Sequence, residues 1–153
     1  MKVILSSMLF VMLVFMSSCG QAQNNTSEKQ ISMLKEFYIS YNDIWSAPPK
    51  TIPYDVLANK ADSLNSIYCT VQLRKKAKEW LEEGHDLITN DYSYGDMVPK
   101  TLSVIKDSTK SNEYIVSYTA HDTDPYGKEY TQQVTLHVTV IKEGESYKID
   151  SVR

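Results

Sequence analysis

The sequence predicts a single α+β domain, with N-terminal helices packed in the concave face of a curved four-stranded antiparallel sheet. Up to about residue 83, apolar residues recur at spacings of three and four, the period of an amphipathic helix. After residue 100, apolar and polar residues alternate, as in half-buried antiparallel strands. Helices first and strands second indicate an α+β fold rather than an alternating α/β fold.

The first predicted helix runs from Ile31 to Trp45. Ser27 and Gln30 have the form of a capping box before it, and a pair of prolines at 48 and 49 ends it. Its apolar stripe consists of Ile31, Leu34, Phe37, Tyr38, Tyr41, Ile44 and Trp45.

Two shorter helices are predicted to follow. A second stripe covers Tyr54 to Tyr68, and a third covers Val71 to Glu83, where Gly84 is a typical helix stop. The strands are predicted around Leu102–Val104, Tyr114–Tyr118, Tyr130–Val140 and Tyr147–Ile149. Polar, glycine-containing or aspartate-containing segments at 107–112, 122–127 and 143–146 supply the turns.

Residues 1–18 have the pattern of a targeting segment. Lys2 precedes an apolar run from Val3 to Met16, which is short for a transmembrane helix. The run closes on two serines, Cys19 and a glycine, and it resembles a bacterial lipoprotein signal with its lipobox. That resemblance implies cleavage before Cys19, whose thiol would carry the lipid. The alternative is an ordinary secretory signal cleaved a few residues later.

Residues 19–30 are predicted to be the lipidated cysteine and a flexible polar tether, leaving 31–153 as the domain. The lipoprotein interpretation implies that the protein lies in a Gram-negative cell envelope. Its domain would face the periplasm or, alternatively, the cell surface. The formal charge of −3 becomes −4 when Lys2 is removed, which argues against nucleic-acid binding. No cofactor and no metal are expected, and the sequence does not define an oligomeric state.

The order of three helices and four long strands resembles the cystatin-like or nuclear-transport-factor-like cone. Four stretches carry a narrower likeness: Phe37-Tyr38 with Tyr41, the residues from Leu64 to Leu73, Asp86 to Thr89 followed by Asp91-Tyr92, and Tyr147 to Val152. In these stretches the chain is similar to bacterial envelope lipoproteins of uncharacterised function. The resemblance implies this fold and compartment, but no chemistry.

Eleven tyrosines, all outside the signal, suggest a pocket or partner surface, since Tyr and Trp are favoured at interfaces. The alternative is an aromatic core with hydroxyl groups at its rim. The segment between the last helix and the sheet adds acidic and aromatic residues, but its spacing does not fit a calcium loop. The binding candidates are Tyr38, Tyr41, Trp45, Asp91, Tyr92, Tyr94, Tyr118 and His121.

Binding of a protein partner or a small ligand is the favoured function, because the sequence contains no convergent catalytic set. A small isomerase or hydrolase would need one buried base, for which Asp86, Asp91 and His121 are candidates. A periplasmic immunity protein is a further alternative. Cys69 is predicted to be a buried, inert thiol, and His137 a solvent-facing residue.

The sequence contains three similar triplets, Asp62-Ser63-Leu64, Asp107-Ser108-Thr109 and Asp150-Ser151-Val152. Each resembles the three-residue O-glycosylation signal of some Gram-negative bacteria. Only the triplet at Asp107 falls in a predicted turn.

Overall fold

The computed structural model describes residues 18–46, 52–90, 96–124 and 126–153, with side chains from Asn25 onward. The helices and strands are α1 (Ser18–Trp45), α2 (Tyr54–Tyr68), α3 (Val71–Glu82), β1 (Asp96–Met97), β2 (Ser103–Lys106), β3 (Glu113–Thr123), β4 (Glu129–Glu143) and β5 (Ser146–Val152). A short 3₁₀ turn, Pro99–Thr101, joins β1 to β2.

The strands form one antiparallel sheet that curls into a half-barrel, and the three helices pack against it. Strand β3 pairs with β4 along its whole length, while β1 and β2 share its other edge. Strand β5 pairs with the outer edge of β4, where a bulge lies between Thr139 and Val140. The predicted α+β fold is confirmed, with the two-residue β1 added to the four longer strands.

The core lies between α1 and the inner face of the sheet. The predicted period of two is correct, because alternate residues of β3 and β4 are buried against the helices. The main buried residues are Leu34, Phe37, Tyr38 and Tyr41 of α1, Tyr114, Val116 and Tyr118 of β3, and Leu136, Val138 and Val140 of β4.

Helices α2 and α3 begin and end close to the predicted positions. Pro53 precedes α2, and the hydroxyl of Thr70 caps α3 by accepting a hydrogen bond from the Leu73 N–H at 3.3 Å. Gly84 follows α3 with φ +83°, a conformation that favours glycine. Between the helices, the Thr70 N–H donates to the Ile149 carbonyl at 2.8 Å, which ties the junction to the edge of β5.

The first helix starts much earlier than the prediction. Residues 19–30, predicted as a flexible tether, are helical, and Ser27 lies inside α1, so the predicted capping box is wrong. Gln30 is buried because its side-chain oxygen accepts a hydrogen bond from the Tyr114 hydroxyl. This hydrogen bond joins the residue just before the apolar stripe of α1 to β3.

Candidate functional site

An aromatic row leads from the core to the surface along the C-terminal half of α1. It consists of Phe37, Tyr41, Trp45 and Tyr54, with successive ring centroids 5.7, 6.3 and 5.9 Å apart. Spacings of four residues place the first three on one helix face, and Tyr54 joins them from the start of α2. Phe37 and Tyr41 are buried, Trp45 is partly buried, and Tyr54 is 50% exposed. The row therefore connects the interior to an accessible edge.

The tyrosine hydroxyls of α1 point to interior acceptors. Tyr38 donates to the carbonyl of Ile88 at 3.4 Å, and Tyr41 donates to Oδ1 of Asp86 at 3.1 Å. Burial holds the pKa of both tyrosines well above its usual value, so both hydroxyls keep their protons. The hydroxyl groups of Tyr38 and Tyr41, two of the predicted binding residues, therefore hold α1 to the segment after α3.

Asp86 is the buried carboxylate of this region. Its Oδ1 also accepts a hydrogen bond from the Ile88 N–H at 2.8 Å, and the backbone and side chain of Thr89 donate to the carboxylate as well. Burial raises the pKa of Asp86, while these hydrogen bonds oppose that rise. With its acceptor positions occupied, Asp86 stabilises the turn that follows α3, and it is not positioned to take a proton from a ligand.

A cavity of about 90 Å³ lies among the three helices, beside Tyr41 and Tyr54. The small side chains of Ala58, Ala61 and Ala77 leave this space, and its surface is mostly apolar. An apolar cavity of about 150 Å³ accommodates benzene, so this one has room for a smaller group such as one aliphatic side chain. The remaining lining residues are Asn59, Asp62, Asn65, Lys78, Leu81 and Glu82.

A wider, open groove lies at the opposite part of α1. It has a volume of about 690 Å³ and runs between α1, the end of α2 and the β4–β5 hairpin. Its walls carry Lys29, Ile67, Tyr68, Lys142 and Tyr147. Because the groove is shallow and mixed in polarity, its geometry selects no particular ligand.

Three potential metal ligands meet at the outer face of the sheet: Asp107, Glu113 and His137. Glu113 is buried and already contacts two fixed cations, Lys110 at 3.0 Å and Arg153, in addition to Nδ1 of His137 at 3.0 Å. Those cations supply the positive charge that a metal ion would bring, and they would repel one. The cluster is therefore an ion-pair network, and it does not fit a metal site.

The Glu113 network is expected to make stability depend on pH. Hydrogen bonds from Lys110, His137 and Arg153 lower the pKa of Glu113 below its ordinary value of 4.5. A lowered folded-state pKa contributes stability that is present above pH 4.5 and lost as the pH falls through the folded value. Melting temperatures between pH 7 and pH 3 should fall less steeply for Glu113→Gln than for the wild type. Glu145→Gln, at an exposed turn, is the control and should keep the wild-type slope.

Cys69 is buried, as predicted, at the junction between α2 and α3. Burial raises the pKa of its thiol to about 12, and Lys148 opposes that rise. Since the thiolate is the reactive form, Cys69 should resist a maleimide at pH 8 in the native state and react fully in denaturant. A Cys19→Ser chain leaves it as the only thiol for this measurement. Native labelling as fast as that of a free thiol would contradict the buried position.

The structure separates the predicted binding residues. Tyr38, Tyr41 and Tyr118 are buried in the core, and His121 is exposed on β3, opposite Asp96 of β1. The candidates Asp91, Tyr92 and Tyr94 lie outside the described residues. The side chain of Cys19 is not described either.

Tyr54 and the alanines that line the cavity were not predicted as site residues from the sequence. Tyr54 begins the apolar stripe of α2, so its spacing indicates only a helix, and its contact with Trp45 is what places it in the aromatic row. Helical spacing could have placed Ala58 and Ala61 near one another, but an alanine pattern alone does not distinguish close packing from a cavity.

Comparisons with known proteins identify a protein of similar fold, but they indicate no chemical activity. The chain is similar to a protein of unknown function from Bacteroides thetaiotaomicron, whose crystal structure superposes with a TM-score of 0.66. The two are 25% identical, and the match covers 87% of this chain and 95% of that one. No family model and no curated protein match the sequence. In the described part of the chain, no helix is long and apolar enough to cross a bilayer.

Proposed function

We propose that this chain is a lipid-anchored module of a Gram-negative cell envelope that binds a protein partner at the exposed end of its aromatic row. The observation that carries the proposal is the contact of half-exposed Tyr54, which lines the cavity among the helices, with the ring of Trp45, whose centroid lies 5.9 Å away. Large aromatic side chains next to a small apolar pocket are typical of binding hot spots. Such a pocket has room for one side chain of a partner.

The chemistry of the described residues favours binding over catalysis. Asp86, the one buried candidate base among the residues that the structure describes, has its acceptor positions occupied by backbone and side-chain donors. His121 is exposed on a strand that ends in a hairpin loop. A general base must be within hydrogen-bond reach of the proton that it removes, and neither residue adjoins the helical cavity.

The anchor is inferred from Cys19 at the end of the signal-like segment. Acyl chains on that cysteine would stabilise membrane attachment by about 0.8 kcal/mol per buried CH₂. We expect the wild type in the membrane fraction and Cys19→Ala in the soluble fraction after cell lysis. A Cys19→Ala protein that remained in the membrane fraction would contradict lipid anchoring.

Partner binding is tested by placing a photo-crosslinking amino acid at position 54 in living cells. Tyr126, which is 95% exposed in the β3–β4 loop, supplies the matched control position. We expect a discrete crosslinked species from position 54 that is absent from position 126. It should also be lost when Ala58→Leu fills the cavity. Equal crosslinking from both positions, or none from position 54, would overturn the proposed binding site.

A further inference from the structure

The three triplets that resemble an O-glycosylation signal have different structural settings. Transfer of a sugar to a hydroxyl requires that the acceptor enter the active site of a transferase. The acceptor hydroxyl must therefore be exposed, and the backbone around it must not be held in a helix or a sheet. These two criteria can be applied to Ser63, Ser108 and Ser151, the central residues of the triplets.

Two of the three serines are held in regular structure. Ser63 lies within α2, and its hydroxyl donates to the Asn59 carbonyl at 2.8 Å. Ser151 lies in β5, is partly buried, and its hydroxyl donates to Thr139 Oγ1 at 2.9 Å. Neither backbone can extend into an active site without breaking helical or sheet hydrogen bonds.

Asp62, the aspartate of the triplet in α2, also has a bonding partner. Asp62 forms a two-point ion pair with Arg74 of α3, with distances of 2.8 and 2.7 Å. This ion pair binds the carboxylate of Asp62 to a second helix, whereas the hydrogen bonds to the carboxylate of Asp107 come from its own loop.

Ser108 meets both criteria. It begins a stretch of five consecutive exposed residues, 108–112, in the loop between β2 and β3. Oδ1 of Asp107 accepts hydrogen bonds from the backbone N–H of Thr109 at 2.7 Å and from its hydroxyl at 2.6 Å. These bonds form a local turn around Ser108 and engage the other hydroxyl of the triplet. The hydroxyl of Ser108 itself makes no hydrogen bond to any of the residues that the structure describes.

We propose that Ser108 is an O-glycosylation site, modified after export by an envelope glycosyltransferase that uses a polyprenyl-diphosphate-linked glycan. Oγ of Ser108 forms a bond to the anomeric carbon of the glycan, and the bond from that carbon to the diphosphate oxygen breaks. The diphosphate leaves with the bonding electrons, and the hydroxyl proton passes to a base of the transferase. The inference rests on the proposed envelope location, because only there would the chain meet this donor and enzyme.

The test uses the full chain expressed in a Gram-negative host that has a general O-glycosylation system. Mass spectrometry of the chymotryptic peptide spanning residues 103–114 should show the added mass of a glycan. Ser108→Ala and Asp107→Asn should abolish it, while Ser63→Ala and Ser151→Ala should leave it unchanged. Because Ser108 lies in the exposed loop, its substitution leaves the core unchanged.

Each alternative result is decisive. A glycan on Ser63 or Ser151, or an unmodified Ser108 in an exported chain, would overturn the proposal. The N-terminal peptide of the same sample shows separately whether Cys19 carries lipid, so loss of the anchor is distinguishable from loss of glycosylation. If the native leader does not export the chain, the same chain behind a leader of known export function is measured, and an unmodified Ser108 there also overturns the proposal.

Discussion

Replacing Phe37 by alanine is expected to lower the free energy of unfolding by about 3–5 kcal/mol, the usual range for removing a buried ring. Phe37 is fully buried, and its ring lies 5.2, 5.7 and 5.5 Å from the rings of Tyr38, Tyr41 and Tyr68. The substitution removes these contacts and leaves a cavity that the surrounding helices cannot fill without moving. The free energy of unfolding of a domain of this size is only about 5–15 kcal/mol, so the Phe37→Ala variant would lose a large share of its stability.

Urea titration measures this loss, and α1 itself provides the control. Ile39 lies two residues further along the same helix and is 39% exposed. Ile39→Ala removes a side chain with much less buried area, so we expect a loss below about 1 kcal/mol. Similar losses for the two variants would contradict the packing of α1 against the sheet.

Replacing Asp86 by alanine is expected to lower the free energy of unfolding by about 3 kcal/mol or more. The change leaves the Tyr41 hydroxyl, the Ile88 N–H and the donors of Thr89 without their acceptor inside the protein. Each unsatisfied buried donor costs about 1–3 kcal/mol. The same change should release Tyr41 and so disturb the inner part of the aromatic row.

Asp86→Asn separates the hydrogen bonds from the charge, because the amide keeps an oxygen acceptor but does not ionise. The pKa of Asp86 is raised by burial, so its neutral form favours the fold at low pH. That contribution is present below the ordinary pKa of 3.8 and is lost as the pH rises through the folded value. We therefore expect Asp86→Asn to gain stability relative to the wild type as the pH rises from 3 to 7. Equal losses in the alanine and asparagine variants at pH 7 would contradict this role.

Local pattern was sufficient to predict most of the secondary structure. The predicted span of α2 is the observed one, Tyr54–Tyr68, because a proline before it and a clear apolar stripe mark its limits. Strands β3 and β4 were predicted from alternation, since each buries one face. The start of α1 was not predicted, because residues 18–30 contain no large apolar residue and therefore show no apolar stripe.

The candidate site was less predictable than the fold. Tyr41 and Trp45 were identified as aromatic residues of one helix face, but the sequence contains no sign that the Tyr41 hydroxyl is bonded to Asp86. Tyr54 was assigned to a helix rather than to the site. Its place in the aromatic row appears only through the contact of its ring with Trp45 of the preceding helix.

The sequence by itself determined the α+β class, the order of the helices and strands and the burial of Cys69, since periodicity records which face of each element is apolar. The tertiary structure decided which polar groups pair across the core, where the helical cavity lies, and which of three similar triplets is exposed. These properties depend on contacts between residues that are distant in the sequence, and a pattern of local spacings contains no information about such distances.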